Sequence, residues 1–290
     1  MSFFNSLGRS MGRSSRPKKS PTHPNMPTFD PSSLSNYPRS PTSPSSSSAL
    51  GLGSNGKPLY LCQPFVGASL VKGSLKTISS VPKYVDPKEW VAVNLFDFFN
   101  NLNQFYGVLT EFCTVSANPT MSAGPGLDYT WIDQNRKQVK LPAPQYIDYV
   151  MTWVGGLLSD EATFPTKASR DFPPTFLTTS KHIYKQLLRV FAHIYHAQYQ
   201  YLVHLCCEGH FNSLFAHFIA FGSENRLFDY RDFKWSGGAP GGGGAGGGAQ
   251  SPTATVASAG GSGGGYPGVC DLIEKWVELG VLGPECIGQR

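Results

Sequence analysis

Histidine is the residue type in this chain best placed to do chemistry. His193 and His196 lie three apart in His193-Ile-Tyr-His196, and His204, His210 and His217 follow. Two histidines at helical spacing, with a cysteine, supply the donor types that bind zinc. The patterns that would make such a set catalytic are missing. There is no HExxH, CxxC or GxSxG, and the glycine-rich stretch lacks the Lys and the strand–helix context of a phosphate loop. No two carboxylates fall into a recognisable acid–base pair, and Glu89, Asp97 and Glu111 read as a helix cap and polar faces. A histidine on an aromatic-rich helix is most simply a hydrogen-bonded core residue. The enzymatic alternative is a zinc-dependent hydrolase using Cys113 with His193 or His196.

The elements that must position these residues are helical. Asp86-Pro87-Lys88-Glu89 is a capping signature, with Asp as N-cap, Pro first in the helix and Glu third. Behind it, Val91, Leu95, Phe98, Leu102 and Phe105 form one stripe. Ala92, Phe96 and Phe99 widen it, which predicts a largely buried helix. Tyr146, Val150, Trp153, Val154 and Leu157 make a second amphipathic helix after Pro142 and Pro144. A third is expected over about 180–207, which contains no Gly or Pro. Gly209 marks the expected break before a fourth over 211–221. Alternation from Tyr129 to Leu141 about Asp133-Gln134-Asn135 predicts a small β-hairpin. Residues 271–279 add a last helix. The fold class is therefore all-α: four long helices with one hairpin.

Charged residues are 15% of the chain, well under the roughly 25% of ordinary domains, so part of it is expected not to fold. Residues 1–58 hold seven basic residues against Asp30 alone, a net +6, while the whole chain is +5. The remainder is thus near neutral, and the basicity belongs to a Ser/Pro-rich segment, 1–58, expected to be disordered. Ser20-Pro21, Ser40-Pro41 and Ser43-Pro44 have the form of proline-directed phosphorylation sites. No aromatics interleave with its basic cluster from Arg9 to Lys19, which argues against base stacking and nucleic-acid binding. Residues 236–268, glycine-rich and uncharged, read as a flexible insert in a surface loop or as retained intron sequence. The longest apolar run, Tyr149 to Leu158, is too short to cross a membrane. With no secretion signal, the six cysteines read as reduced intracellular thiols.

One series of motifs is highly specific. Glu89-Trp-Val-Ala-Val-Asn-Leu-Phe-Asp-Phe-Phe99 is followed by Tyr106-Gly-Val-Leu-Thr-Glu111, Asn118-Pro-Thr-Met-Ser-Ala-Gly-Pro125 and Phe164-Pro165. Arg189-Val-Phe-Ala-His-Ile-Tyr-His196, then His210, Asn212 and His217-Phe218, complete it. Together these resemble the Mob/phocein family of kinase co-activators. The resemblance covers about 60–235 and resumes near Leu272. The segment from Pro64 to Thr77 and the opening Met1-Ser-Phe-Phe-Asn resemble the fungal Mob-two subfamily. That resemblance implies a Mob-type domain over 59–235, completed by a C-terminal helix in 269–290.

It also implies a function. The chain is expected to be a non-catalytic regulatory subunit that binds the N-terminal region of an NDR-family serine/threonine kinase in cell polarity and morphogenesis signalling. Glu89, Trp90, Val93 and Asp97 match the family's contact face, and Glu89, Val93 and Asp97 share one helix face. A cytoplasmic location with nuclear and cell-cortex pools is expected, without integral membrane association. The alternative within the family is a Mob-one-like adaptor in mitotic exit and septation.

Two departures from the Mob-one pattern follow from residue chemistry. That pattern holds zinc with two Cys five apart and two His five apart. Cys113 and His193 occupy the first of each pair, but Asn118 and Gln198 occupy the second. Neutral amides are poor zinc ligands, so no cofactor is expected. Mob-one proteins also bind phosphopeptides through Lys-Arg-x-x-Arg. Here the positions are Lys185, Gln186 and Arg189, a site degraded by loss of the middle guanidinium.

Overall fold

The computed structural model describes residues 52–53, 56–69, 71, 73–124, 127–133, 135–167, 169–230, 255–258 and 269–288. Most of the expected tail (1–58) and of the glycine-rich stretch (236–268) lies outside the described residues.

Helix α1 (Leu75–Ser79) is capped by Ser74, whose hydroxyl accepts from the Thr77 amide. Helix α2 (Pro87–Leu109) starts where the capping signature puts it. Asp86 Oδ1 accepts from the amides of Lys88 at 2.7 Å and Glu89 at 3.3 Å, two donors a helix start otherwise leaves unmet. Three strands follow: β1 (Met121–Gly124), β2 (Leu127–Ile132) and β3 (Gln138–Lys140). β2 and β3 form the expected hairpin, pairing Thr130 with Lys140 and Ile132 with Gln138. β1, with little strand signal in Met-Ser-Ala-Gly, pairs antiparallel with β2, Met121 opposite Tyr129.

Helix α3 (Ala143–Leu158) follows, with Pro144 in its first turn. The predicted third helix is divided. Helix α4 (Phe176–His193) runs into one π-helical stretch (Ile194–Gln198) and then α5 (Tyr199–His204). The break comes at Cys206, which adopts φ 53°. Gly209 instead sits in the first turn of α6 (Glu208–Glu224). A strand, β4 (Thr255–Ser258), lies inside the glycine-rich stretch and pairs antiparallel with β2, Leu127 opposite Ser258. A featureless linker was expected there, but the local Thr-Val favours an extended backbone. Helix α7 (Val269–Glu278) and a short 3-10 turn (Pro284–Ile287) close the order.

Aromatic rings fill the centre of the bundle. Phe98 of α2 meets the edges of Phe218 and Phe221 of α6 at 5.2 and 5.4 Å. Phe191 of α4 packs against Phe211, Phe215 and Phe218 at 4.9–5.5 Å. Tyr184 stacks on Phe218 at 3.9 Å and donates its hydroxyl to the Phe218 carbonyl. Asn212 ties the leading segment to α6, its amide donating to the carbonyls of Phe65 and Ala68 at 2.9 Å. Its Oδ1 accepts from Tyr195. Trp276 of α7 is fully buried and donates to the Val66 carbonyl at 2.8 Å. The frame is therefore mainly helical with a small antiparallel sheet, as predicted.

Candidate functional site

The buried side of α2 is the predicted stripe: Val91, Leu95, Phe98 and Leu102 are at most 3% exposed. The stripe is narrower than expected, because Phe96 is 42% exposed. At about 100° per residue, Phe96 falls with Glu89 and Val93 on the side away from Phe98, and Asp97 borders them. Glu89 and Asp97 are exposed and Val93 is half-buried. The outer face of α2 therefore carries two apolar side chains flanked by two carboxylates. The helix beneath Asp97 removes enough water to hold its carboxyl above the usual range, although the side chain reaches solvent. Trp90 stands at the flank with a structural duty. Its indole N–H donates to the Ser79 carbonyl at 3.1 Å, and its ring lies 6.4 Å from Phe221, so it fastens the end of α1 to α2 and α6.

Lys185 and Arg189 both line a cavity of about 550 Å³ between α4 and the chain after α6, with Lys181, His182 and Arg226. Arg189 is only 3% exposed. Its guanidinium lies over the Tyr129 ring and donates to the Tyr146 hydroxyl at 3.1 Å. That hydroxyl donates in turn to Gln186 Oε1. Position 186, where the related pattern has its middle arginine, thus faces a buried network.

The structure brings Cys113 and His193 together, Sγ to Nε2 at 3.9 Å, both nearly inaccessible. His193 Nδ1 donates to the Ser122 carbonyl of β1 at 2.7 Å. Burial raises the thiol pKa, only partly offset by the Tyr106 hydroxyl, and lowers that of the imidazole to about 4. At neutral pH the pair is thiol and imidazole, without the thiolate a nucleophile requires. Asn118 and Gln198 are buried as well. His196 is exposed and takes no part in the contact. Among the described residues no three His, Cys, Asp or Glu side chains converge on one point. Two strong donors and two amides do not fit the zinc of the Mob-one pattern. Sequence reasoning found these four positions but missed the exposed Phe96, because its apolar neighbours made the stripe look continuous.

The Mob1/phocein family model matches residues 67–235, more than half of the chain. The chain belongs to the Mob1/phocein family. Over 174 residues it is 56% identical to the maintenance of ploidy protein mob2 of Schizosaccharomyces pombe, covering 60% of this chain and 71% of that protein. It is 51% identical to the CBK1 kinase activator protein MOB2 of Saccharomyces cerevisiae, covering 60% of this chain and 61% of that one. The MOB kinase activator-like 1 homolog A of Dictyostelium discoideum is 44% identical over 61% of this chain. Within the Mob family the likeness is thus stronger on the fungal Mob-two side.

Proposed function

We propose that this protein is a non-catalytic co-activator of an NDR-family serine/threonine kinase in polarity and morphogenesis signalling, acting in the cytoplasm with nuclear and cell-cortex pools. The observation that carries the reading is the outer face of α2, where Val93 and Phe96 are framed by Glu89 and Asp97. An exposed phenylalanine on a helix whose other side is locked into the core is a rigid anchor, and its ring loses little entropy on docking. The flanking carboxylates select a basic amphipathic helix and speed its arrival. The kinase N-terminal region is the partner segment this chemistry fits. The names of the fungal relatives, one a CBK1 kinase activator, support the same reading.

The inward turn of Gln186 and the burial of Arg189 favour this function over a Mob-one-like phosphopeptide adaptor. Co-elution of residues 59–290 with a recombinant kinase N-terminal segment tests the proposal. A one-to-one complex is expected, and no association at micromolar concentration would overturn it.

A further inference from the structure

The pocket around His193 keeps more of a metal site than its donor count requires. In an α-helix, residues five apart point about 140° away from each other. The π-helical stretch Ile194–Gln198 changes this, because its i→i+5 hydrogen bonding stacks such residues on one face. His193, just before the stretch, and Gln198, its last residue, are therefore turned toward the same side. The Ser122 carbonyl holds the Nδ1 proton, so the Nε2 lone pair is aimed at Cys113 Sγ. A second partner fixing the ring in this way is the arrangement that orients a ligating histidine. Gln198 adds an independent mark: it is fully buried, and neither Oε1 nor Nε2 has a hydrogen-bond partner. A buried primary amide without partners costs stability, and an apolar side chain would fill the space without that cost.

We propose that this pocket is a coordination cage with its backbone and supporting shell intact but only two working donors. The native chain folds without a metal, and Asn118→Cys with Gln198→His is enough to make the cage bind zinc. This inference stands apart from the kinase reading and concerns only what the four positions hold.

The test measures zinc per chain by mass spectrometry and melting temperature with and without chelator, for the full-length protein and the double variant. The native protein should carry far less than one zinc and melt unchanged with chelator. The double variant should carry one zinc and melt markedly lower when chelated. If it folds only when zinc is added, the inference is equally supported. Gln198→His alone, which supplies a third strong donor, should give the thiolate charge-transfer absorption of cobalt(II). That measurement decides the matter should the double variant not fold. Gln198→Leu, lacking the unpartnered amide, should melt no lower than the parent. Stoichiometric zinc in the native protein would overturn the inference. So would a folded double variant without zinc, no cobalt signal from Gln198→His, or a lower melting temperature for Gln198→Leu.

Discussion

Phe96 and Asp97 are neighbours in sequence with different duties, and their substitutions separate affinity from fold. Phe96→Ala removes an exposed ring, and Asp97→Lys reverses an exposed charge. Each should weaken kinase binding at least about tenfold, roughly 1.4 kcal/mol, with helicity and melting temperature unchanged. The Asp97→Lys complex should also lose salt sensitivity, because an exposed charge pair is screened over about 8 Å at physiological ionic strength. The control is charge reversal at an exposed acid off this face; Glu161 is unsuited to it, since Thr166 donates to it from both amide and hydroxyl. Reversal of exposed Asp171 is cleaner. If Asp97→Lys unfolds the protein, the carboxylate belongs to the structure rather than the interface. His217 offers a different readout. Burial beside Phe98 lowers its pKa below the ordinary 6.5. On acidification the unfolded chain takes up this proton first, so stability falls as the pH drops through 6.5 towards the native value. Urea melts at about pH 7.5 and 5.5 should therefore show a smaller difference for His217→Phe than for the parent.

At the scale of elements, α6 and α4 are held at their spacing by a glycine. A methyl at Gly222 would overlap the Tyr184 hydroxyl and the Phe228 ring, both packed in place. Gly222→Ala should cost about 1–3 kcal/mol or more in urea unfolding, although alanine is the better helix former. An unchanged midpoint would show that Tyr184 swings aside at no cost. Such elements differ in how openly the sequence announces them. The start of α2 is legible because Asp86 and Pro87 act through local chemistry. The hairpin is legible because alternation persists on both sides of a turn. The π-helical stretch leaves no comparable sign: its residues have ordinary helix propensity, and the contact that holds His193 just before it, the Ser122 carbonyl of β1, comes from a distant part of the chain. The stop at Cys206 is equally silent, for its left-handed backbone belongs to a closing turn, in which the Cys207 amide donates to the Leu202 carbonyl, that more commonly carries glycine. Phe96 was misread because periodicity gives an apolar residue's direction only as well as it gives the width of the stripe. At the candidate site, the Cys113–His193 pair was found through the family pattern and not from spacing.

At the scale of the whole described bundle, the closing element is α7. Trp276 packs 5.9 Å from Phe215 while its N–H reaches Val66, a bond spanning 210 positions of chain. Leu272 and Ile273 are fully buried beside it. Trp276→Ala should cost about 3–5 kcal/mol and lower the melting temperature by more than any surface substitution on α2. Deletion of 269–290 should leave a chain that aggregates or binds a hydrophobic dye. A deletion that melted cooperatively near the parent temperature would show that α7 is an ornament on a finished core.

That long-range bond also sets an order of events during synthesis. The bed that receives Trp276 is laid down by residues made far earlier, yet stays open until the ribosome has passed position 276. A nascent chain stalled, cleaved or ended by a premature stop before α7 would present Phe215 and its apolar surroundings to chaperones. Those are surfaces that quality-control machinery reads as a sign of incompleteness. Chains ended in or before the glycine-rich stretch are thus expected to be short-lived, and a pulse-chase of such a truncation beside the parent would measure it.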